Sequence, residues 1–239
     1  MGNRWLKSIT TSGNTAQVSV PSGYRTTKAW VPTIGDIVPN FTCHSTTGEL
    51  DLFDFAEGEW TYLLNQPNAG GAVCSTEVAS IAVAIEAFSA RNCQVLCVTQ
   101  ETVQDQARWI RDLEQHFNLQ VWFPMVADPG FEISNLFGMT HWRQDKTRAV
   151  RKTVLIDPSL RIRVIHEYPL NIGRSVEEML RILDAQQFHR ANGVATPCDW
   201  QLGEPSLVPN AIGDQQARDK FGSRLKFVAP GVRMVNVAE

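Results

Sequence analysis

The sequence predicts an α/β protein: a mixed sheet with parallel pairs at its centre and helices on both faces. Three observations carry this. Short apolar runs at residues 60–64, 94–98 and 121–126 read as buried strands. The segments between them place apolar residues at helical spacing. Residues 151–156 and 162–167 flank Asp157-Pro158, a turn signal, and read as an antiparallel hairpin. The element order is therefore β-α-β-α-β-α-β-β-α, and alternating strands and helices imply parallel neighbours joined by crossovers.

The elements follow in order. Residues 1–31 are polar and rich in Ser, Thr and Gly, and read as an arm, partly ordered by Trp5 or Trp30 packing on the body. A domain over 32–188 opens at Pro32, with residues 51–55 a short turn or helix. Strand 60–64 leads through Pro67-Asn68-Ala69-Gly70-Gly71-Ala72-Val73-Cys74 into a helix over 75–88. Val78, Ile81, Ala82, Ile85 and Phe88 share one face of that helix. After strand 94–98, Thr102 and Asp105 resemble a capping box with Asp for Glu, and open a helix to about His116. Strand 121–126 stops at Asp128-Pro129-Gly130, a short helix covers 131–137, and the hairpin follows. Ser175 and Glu178 form a capping box for a last helix through about Phe188. The tail, 189–239, has one helical stretch, 214–221, and too little apolar periodicity to bury a core by itself. It is expected to wrap the first domain or to pack on another subunit.

Composition narrows the function. With 239 residues, 43% hydrophobic, the chain can hold one sizeable core plus an appendage. A net charge of −3 gives no support for nucleic acid or anionic lipid as partner. No run is long and apolar enough for a membrane span. The start lacks the apolar core of a secretory signal, so the expected compartment is the cytoplasm. The five cysteines, Cys43, Cys74, Cys93, Cys97 and Cys198, form no Cys-x-x-Cys pair and argue against a disulfide framework. The five histidines show no metal-ligand spacing, and Gly70-Gly71 is not followed by the Lys-Ser/Thr of a phosphate loop. Neither a metal nor another cofactor is expected.

The chemistry concentrates at Cys74. It stands where a strand hands over to a helix N-terminus, where unpaired N–H groups and the positive end of the helix dipole meet. That field favours a thiolate, the nucleophilic form of cysteine. The competing reading is a small apolar residue in the core. Cys43, Cys93 and Cys97 read as inert packing. Cys198, in the tail, is a resolving thiol or an unpaired surface cysteine.

The pattern resembles the thioredoxin-like fold and, within it, the peroxiredoxin (AhpC/TSA) family, in its one-cysteine class with a C-terminal extension. That family carries Pro-x-x-x-Thr/Ser-x-x-Cys followed by Thr-Thr-Glu; here Pro67, Cys74, Thr76 and Glu77 match, and Ser75 nearly does. Arg151, ahead of Ile156-Asp157-Pro158, resembles the family's arginine. Tyr168-Pro169 with Gly173-Arg174 resembles a third signature, and Thr196-Pro197 with Trp200 resembles a segment of the one-cysteine class. The resemblance spans about 32–221. It departs at Gly71, where the family has a hydroxyl, at Ala72 for proline, and at Gln66 and Phe53, where histidines are usual.

The resemblance implies a thiol peroxidase acting on hydrogen peroxide or alkyl hydroperoxides, reduced by an unidentified thiol. Its product at Cys74 is a sulfenic acid. Arg151 is implied as the cation beside the thiolate, although alone it reads as an ordinary strand arginine. Glu77 would orient Arg151; on its own it reads as an acid favoured near the helix start. Val73, through its N–H, and Gly71 would line the substrate position, with Arg174 a second cation. The implied assembly is a homodimer or a larger ring, with the tail at the interface. Gly71 and Ala72 favour a rival reading, a non-catalytic scaffold or redox sensor on the same fold, and a cavity opened at Gly71 suggests a larger substrate.

Overall fold

A computed structural model describes residues 6–9, 18–21, 31–140 and 148–237. Up to Val31 the chain is a unit of its own, in which β1 (Leu6–Ile9) and β2 (Val18–Pro21) pair antiparallel. No strand was expected in this polar arm. Trp5 and Trp30, its expected anchors, lie outside the described residues.

The second unit begins at Pro32. A hairpin of β3 (Thr42–Ser45) and β4 (Gly48–Asp51) leads into α1 (Leu52–Ala56), whose N-cap Asp51 accepts from the N–H groups of Phe53 and Asp54. Next come β5 (Trp60–Gln66), α2 (Ala72–Val83), α3 (Ile85–Ser89), β6 (Cys93–Thr99) and α4 (Val103–Phe117). Then follow β7 (Met125–Ala127), α5 (Glu132–Leu136), β8 (Arg151–Ile156), β9 (Ile162–Tyr168) and α6 (Val176–Asn192). The strands form one seven-stranded sheet in the order β4-β3-β7-β6-β5-β8-β9. β5, β6 and β7 run parallel; β8 and β9 are antiparallel to their neighbours, as the hairpin predicted.

Alternation along the central strands feeds two cores. Tyr62, Leu64, Val95, Cys97 and Leu155 face Val78, Ile81, Phe88, Trp109, Leu113, Met179 and Leu183 of the helices on one side. Leu63, Leu96, Val98, Val154 and Ile156 pack with Leu52, Ala56, Ile133 and Phe137 on the other. Because both faces are covered, every residue of β5 is buried.

Several boundaries differ from the sequence reading. The hairpin β3–β4 went unread because its residues alternate polar with polar and three of the four in β3 are not buried. The third core strand is short: Pro124 cannot donate to a ladder, and only residues 125–127 pair. Trp122, just before this strand, is 71% exposed. The single helix over 75–88 is two. At Ala84 one N–H is shared between the carbonyls of Ser80 and Ile81, tightening the turn. The capping box of the last helix is half made: Ser175 Oγ accepts from the Glu178 N–H at 3.1 Å, but the Glu178 carboxylate turns to Arg181 instead.

The tail does build a small core, contrary to expectation. β10 (Ser206–Leu207), α7 (Asp214–Phe221), a single 3-10 turn, β11 (Leu225–Ala229) and β12 (Val232–Val235) make a three-stranded sheet under one helix. Val194, Val208, Ala217, Phe221 and Val235 cluster there, sealed by Phe188 of α6. Trp200 is fully buried, 5.0 Å from the Phe188 ring centroid, with its indole N–H donating to the Glu204 carbonyl.

Candidate active site

Three chain segments converge at the C-terminal end of β5. Pro67, buried, ends that strand, since it cannot continue the ladder. The loop behind it turns through Asn68, whose carbonyl accepts from the Gly71 N–H at 3.1 Å, and is tied down where Ala69 N–H donates to Glu101 Oε1 at 2.9 Å. Gly71 is the N-cap of α2, with φ −66° and ψ 139°, and offers no side-chain cap. The helix starts three residues earlier than its periodicity suggested, so Cys74 lies inside its first turn rather than before it. Val73 precedes it, half-buried. Trp109 of α4 donates to Ser75 Oγ at 3.2 Å and anchors this turn from outside.

Cys74 is only 2% exposed; it borders the apolar core on its side of the sheet and also meets a charge. Arg151, the first residue of β8, brings Nη1 to 3.3 Å from Cys74 Sγ. The same nitrogen donates to Glu77 Oε2 at 2.8 Å and approaches Gln66 Oε1 at 3.3 Å, while Nε donates to the Leu170 carbonyl at 2.9 Å.

Glu77 stands one helical turn after Cys74 and so points to the same side. Its carboxylate takes three donors: Arg151, the Arg174 backbone N–H at 2.7 Å and Arg174 Nη1 at 3.0 Å. Arg174, just before α6, also reaches Asn65 through Nη2, at 2.6 Å to its carbonyl. Its Nη1 and Nη2 are committed to Glu77 and Asn65, while its buried Nε has no partner among the described residues. Burial pulls the Arg174 guanidinium below its ordinary value, and the Glu77 carboxylate opposes that shift.

The structure thus gathers Cys74, Glu77, Arg151 and Arg174 into one buried network, with Pro67, Gly71 and Val73 framing it. Asn65 and Gln66 belong to it too, and sequence reasoning assigned them no role. Their signal was present: two amides in a row close an otherwise apolar buried strand. Each then meets an arginine. The Asn65 side chain also joins β5 to β8, accepting from the Lys152 N–H at 2.7 Å and donating to the Val150 carbonyl at 2.7 Å.

The other cysteines sit in different surroundings. Burial pushes the Cys43 thiol up to about 11 and the Cys93 thiol up to about 12, and it drives Cys97 further still. Cys198 is exposed.

A buried cysteine held between a helix start and an arginine on a mixed α/β sheet narrows the comparison with known proteins. The model of the AhpC/TSA family matches residues 34–165, and that of the C-terminal domain of 1-Cys peroxiredoxin matches residues 185–224. The chain belongs to the one-cysteine peroxiredoxins. A 1-Cys peroxiredoxin of Dictyostelium discoideum is 31% identical over 188 residues, covering 79% of this chain and 78% of its own. The mitochondrial peroxiredoxin of Saccharomyces cerevisiae is 30% identical over 196 residues, covering 79% and 75%. Among solved structures, yeast mitochondrial 1-Cys peroxiredoxin superposes with a TM-score of 0.81 at 29% identity, over 86% of this chain and 99% of that one. Peroxiredoxin 6 of Arenicola marina gives 0.80 at 26% identity, over 85% and 97%. The thioredoxin-like fold with a C-terminal extension is shared with these peroxiredoxins, and with it thiol-dependent peroxidase activity. Among the described residues, no helix is long and apolar enough to cross a membrane.

Proposed function

We propose that Cys74 is the peroxide-reducing nucleophile and that Arg151, Glu77 and Arg174 assemble its site. The observation that carries this is the 3.3 Å approach of Arg151 Nη1 to Cys74 Sγ inside a buried cluster. That cluster holds two guanidinium groups and one carboxylate, so a thiolate at Cys74 completes its charge balance. Such compensation matters because buried unpaired charge is expensive.

The thiolate attacks one peroxide oxygen along the O–O axis. The S–O bond forms as the O–O bond breaks, and the other oxygen leaves as hydroxide or alkoxide. Cys74 is left as a sulfenic acid. The Arg151 guanidinium, with the N–H groups of Val73 and Cys74 at the uncapped helix start, stabilises the charge that develops on oxygen. Glu77 holds Arg151 in place, and Arg174 holds Glu77. Pro67 ends β5 so that the loop can carry Cys74 over Arg151. Two equivalents of an external thiol return the sulfenic acid to thiol, releasing water and a disulfide. The yeast relative is described with resolution through glutathione and thioredoxin systems, and a small or protein thiol of that class is the proposed reductant. A homodimer or larger ring in the cytoplasm completes the reading; sedimentation velocity checks the assembly.

Dimedone trapping tests the assignment. After brief exposure to hydrogen peroxide, the adduct should map to Cys74, and dithiothreitol should sustain turnover. A Cys74 adduct without turnover would instead support the sensor reading, which the missing hydroxyl at Gly71 favours. An adduct confined to Cys198 would refute both.

A further inference from the structure

Both faces of the sheet are covered at its centre, but at the edge strand β4 one side is open. Leu50 of β4 belongs to the core that holds Leu52 and Phe137. Strand residues alternate, so its neighbours Glu49 and Asp51 face the opposite side, where α3 lies. Between β4 and α3 that side forms a groove of about 640 Å³.

The groove has two unlike walls. One is apolar, made by Trp122, Ile85 and Phe55. Trp122 is 71% exposed, although indole is a side chain that gains much from burial. The other wall is acidic: Glu49, Asp51 and Asp54, with no lysine, arginine or histidine among the described lining residues. Asp51 takes neutral donors only, from Asn40, Thr42 and the backbone N–H groups of Phe53 and Asp54. A single exposed apolar residue needs no explanation; an open indole beside three carboxylates that no cation answers is a different surface. Its location matters too. The groove lies at the starting ends of β6 and β7, whereas Cys74 follows the finishing end of β5, which runs parallel to them. A segment seated in the groove does not cover Cys74.

We propose that this groove docks a basic segment of a protein partner, one that presents an arginine or lysine beside an apolar side chain. The cation meets Glu49, Asp51 and Asp54 in charge complementarity. The apolar side chain and the alkyl stem of the cation lie along Trp122, whose indole face also attracts a guanidinium. A chain segment fits better than a small ligand. Small-molecule pockets enclose most of their ligand, and the largest apolar wall here is open to the outside.

Fluorescence anisotropy on the 239-residue chain tests this, with a labelled, capped Leu-Arg-Leu-Arg-Leu peptide as the probe. Binding should be saturable and should weaken as salt rises. The matching Leu-Glu-Leu-Glu-Leu peptide should not bind. Trp122→Ala should weaken binding at least about fivefold, as for an aromatic anchor. Glu49→Gln combined with Asp54→Asn should weaken it about 3- to 10-fold and flatten its salt dependence. Oxidation of Cys74 by hydrogen peroxide should be unchanged in both variants, so docking and peroxidase activity are judged separately. Binding that survives both variants would overturn the proposal, because the basic segment would then sit elsewhere. Absence of saturable binding to the wild-type chain would overturn it too. If in that case the Glu49→Gln, Asp54→Asn chain self-associates in sedimentation, the acids serve only to guard the open edge of β4.

Discussion

Arg151 is bound more closely to Glu77 than to the cysteine it faces: Nη1 is 2.8 Å from Glu77 Oε2 and 3.3 Å from Cys74 Sγ. Both charged side chains are 3% exposed, and Glu77 answers a second guanidinium, Arg174, on the same oxygen. The carboxylate is thus the joint between two cations, and the helix that carries Cys74 also carries the group that aims Arg151. Sulfur and guanidinium are positioned by one rigid turn.

Removing that joint should be costly. Glu77→Ala leaves two buried guanidiniums without their shared counter-charge, a change expected to destabilise by roughly 3–5 kcal/mol. Glu77→Gln keeps an acceptor and the shape, and should lose less. Urea denaturation of the two variants measures the difference. If alanine and glutamine destabilise equally, the charge is not what holds the joint.

Arg151→Lys retains the charge but not the geometry. One ammonium cannot serve the Leu170 carbonyl, Gln66, Glu77 and the sulfur from the position of a planar fork. Stopped-flow oxidation of Cys74 should slow about 10- to 100-fold, the loss of one charge-assisted hydrogen bond. A lysine variant as fast as wild type would show that charge alone suffices.

Thiol labelling at neutral pH should sort the cysteines by environment. Cys43, Cys93 and Cys97 are pushed upward by burial and remain thiols, so they should label only in denaturant. Cys198 should label in the folded protein, and Cys74 should label there until peroxide blocks it. The same shifts set an alkaline limit. An unfolded cysteine loses its proton near about 8.5, whereas burial holds Cys43 to about 11 and Cys93 to about 12. Above that unfolded value the native state binds more protons than the unfolded state, so stability falls as pH rises. Melting temperature should decline between about pH 9 and 12. Replacing Cys93 with alanine should flatten the decline.

What the sequence made legible follows the strength of the local signal. The central strands, the helix after Cys74 and the hairpin from Arg151 were readable because burial on both faces leaves long apolar runs and clear turns. The β3–β4 hairpin was not, because its side chains are mostly solvated. The tail's core escaped because Val194, Val208, Phe221 and Val235 are scattered singly along it and meet only in three dimensions. Within the site, Cys74 and Glu77 are three residues apart and share a helix, so their proximity could be read directly. Arg151 and Arg174 come from distant segments and needed the family resemblance. The roles of Asn65 and Gln66 depend on which arginine atoms they meet, which no spacing in the chain encodes.

Gly71→Thr tests how this site manages without a hydroxyl. The backbone permits it: φ of −66° lies outside the left-handed region, so a side chain brings no backbone strain. Space is tighter. A Cβ there would sit 3.1 Å from the Asn68 carbonyl oxygen and 3.2 Å from Asn68 Nδ2, so both the backbone and the side chain of Asn68 must give by a few tenths of an ångström. At an N-cap, threonine in place of glycine changes helix stability by only a few tenths of a kcal/mol, and the melting temperature should hardly move. Oxidation carries the information. Threonine should raise the rate of Cys74 oxidation by hydrogen peroxide by up to about 10- to 100-fold, the gain of one hydrogen bond to a charged group. A variant that folds normally yet reacts no faster would show that the missing hydroxyl is not what limits the site.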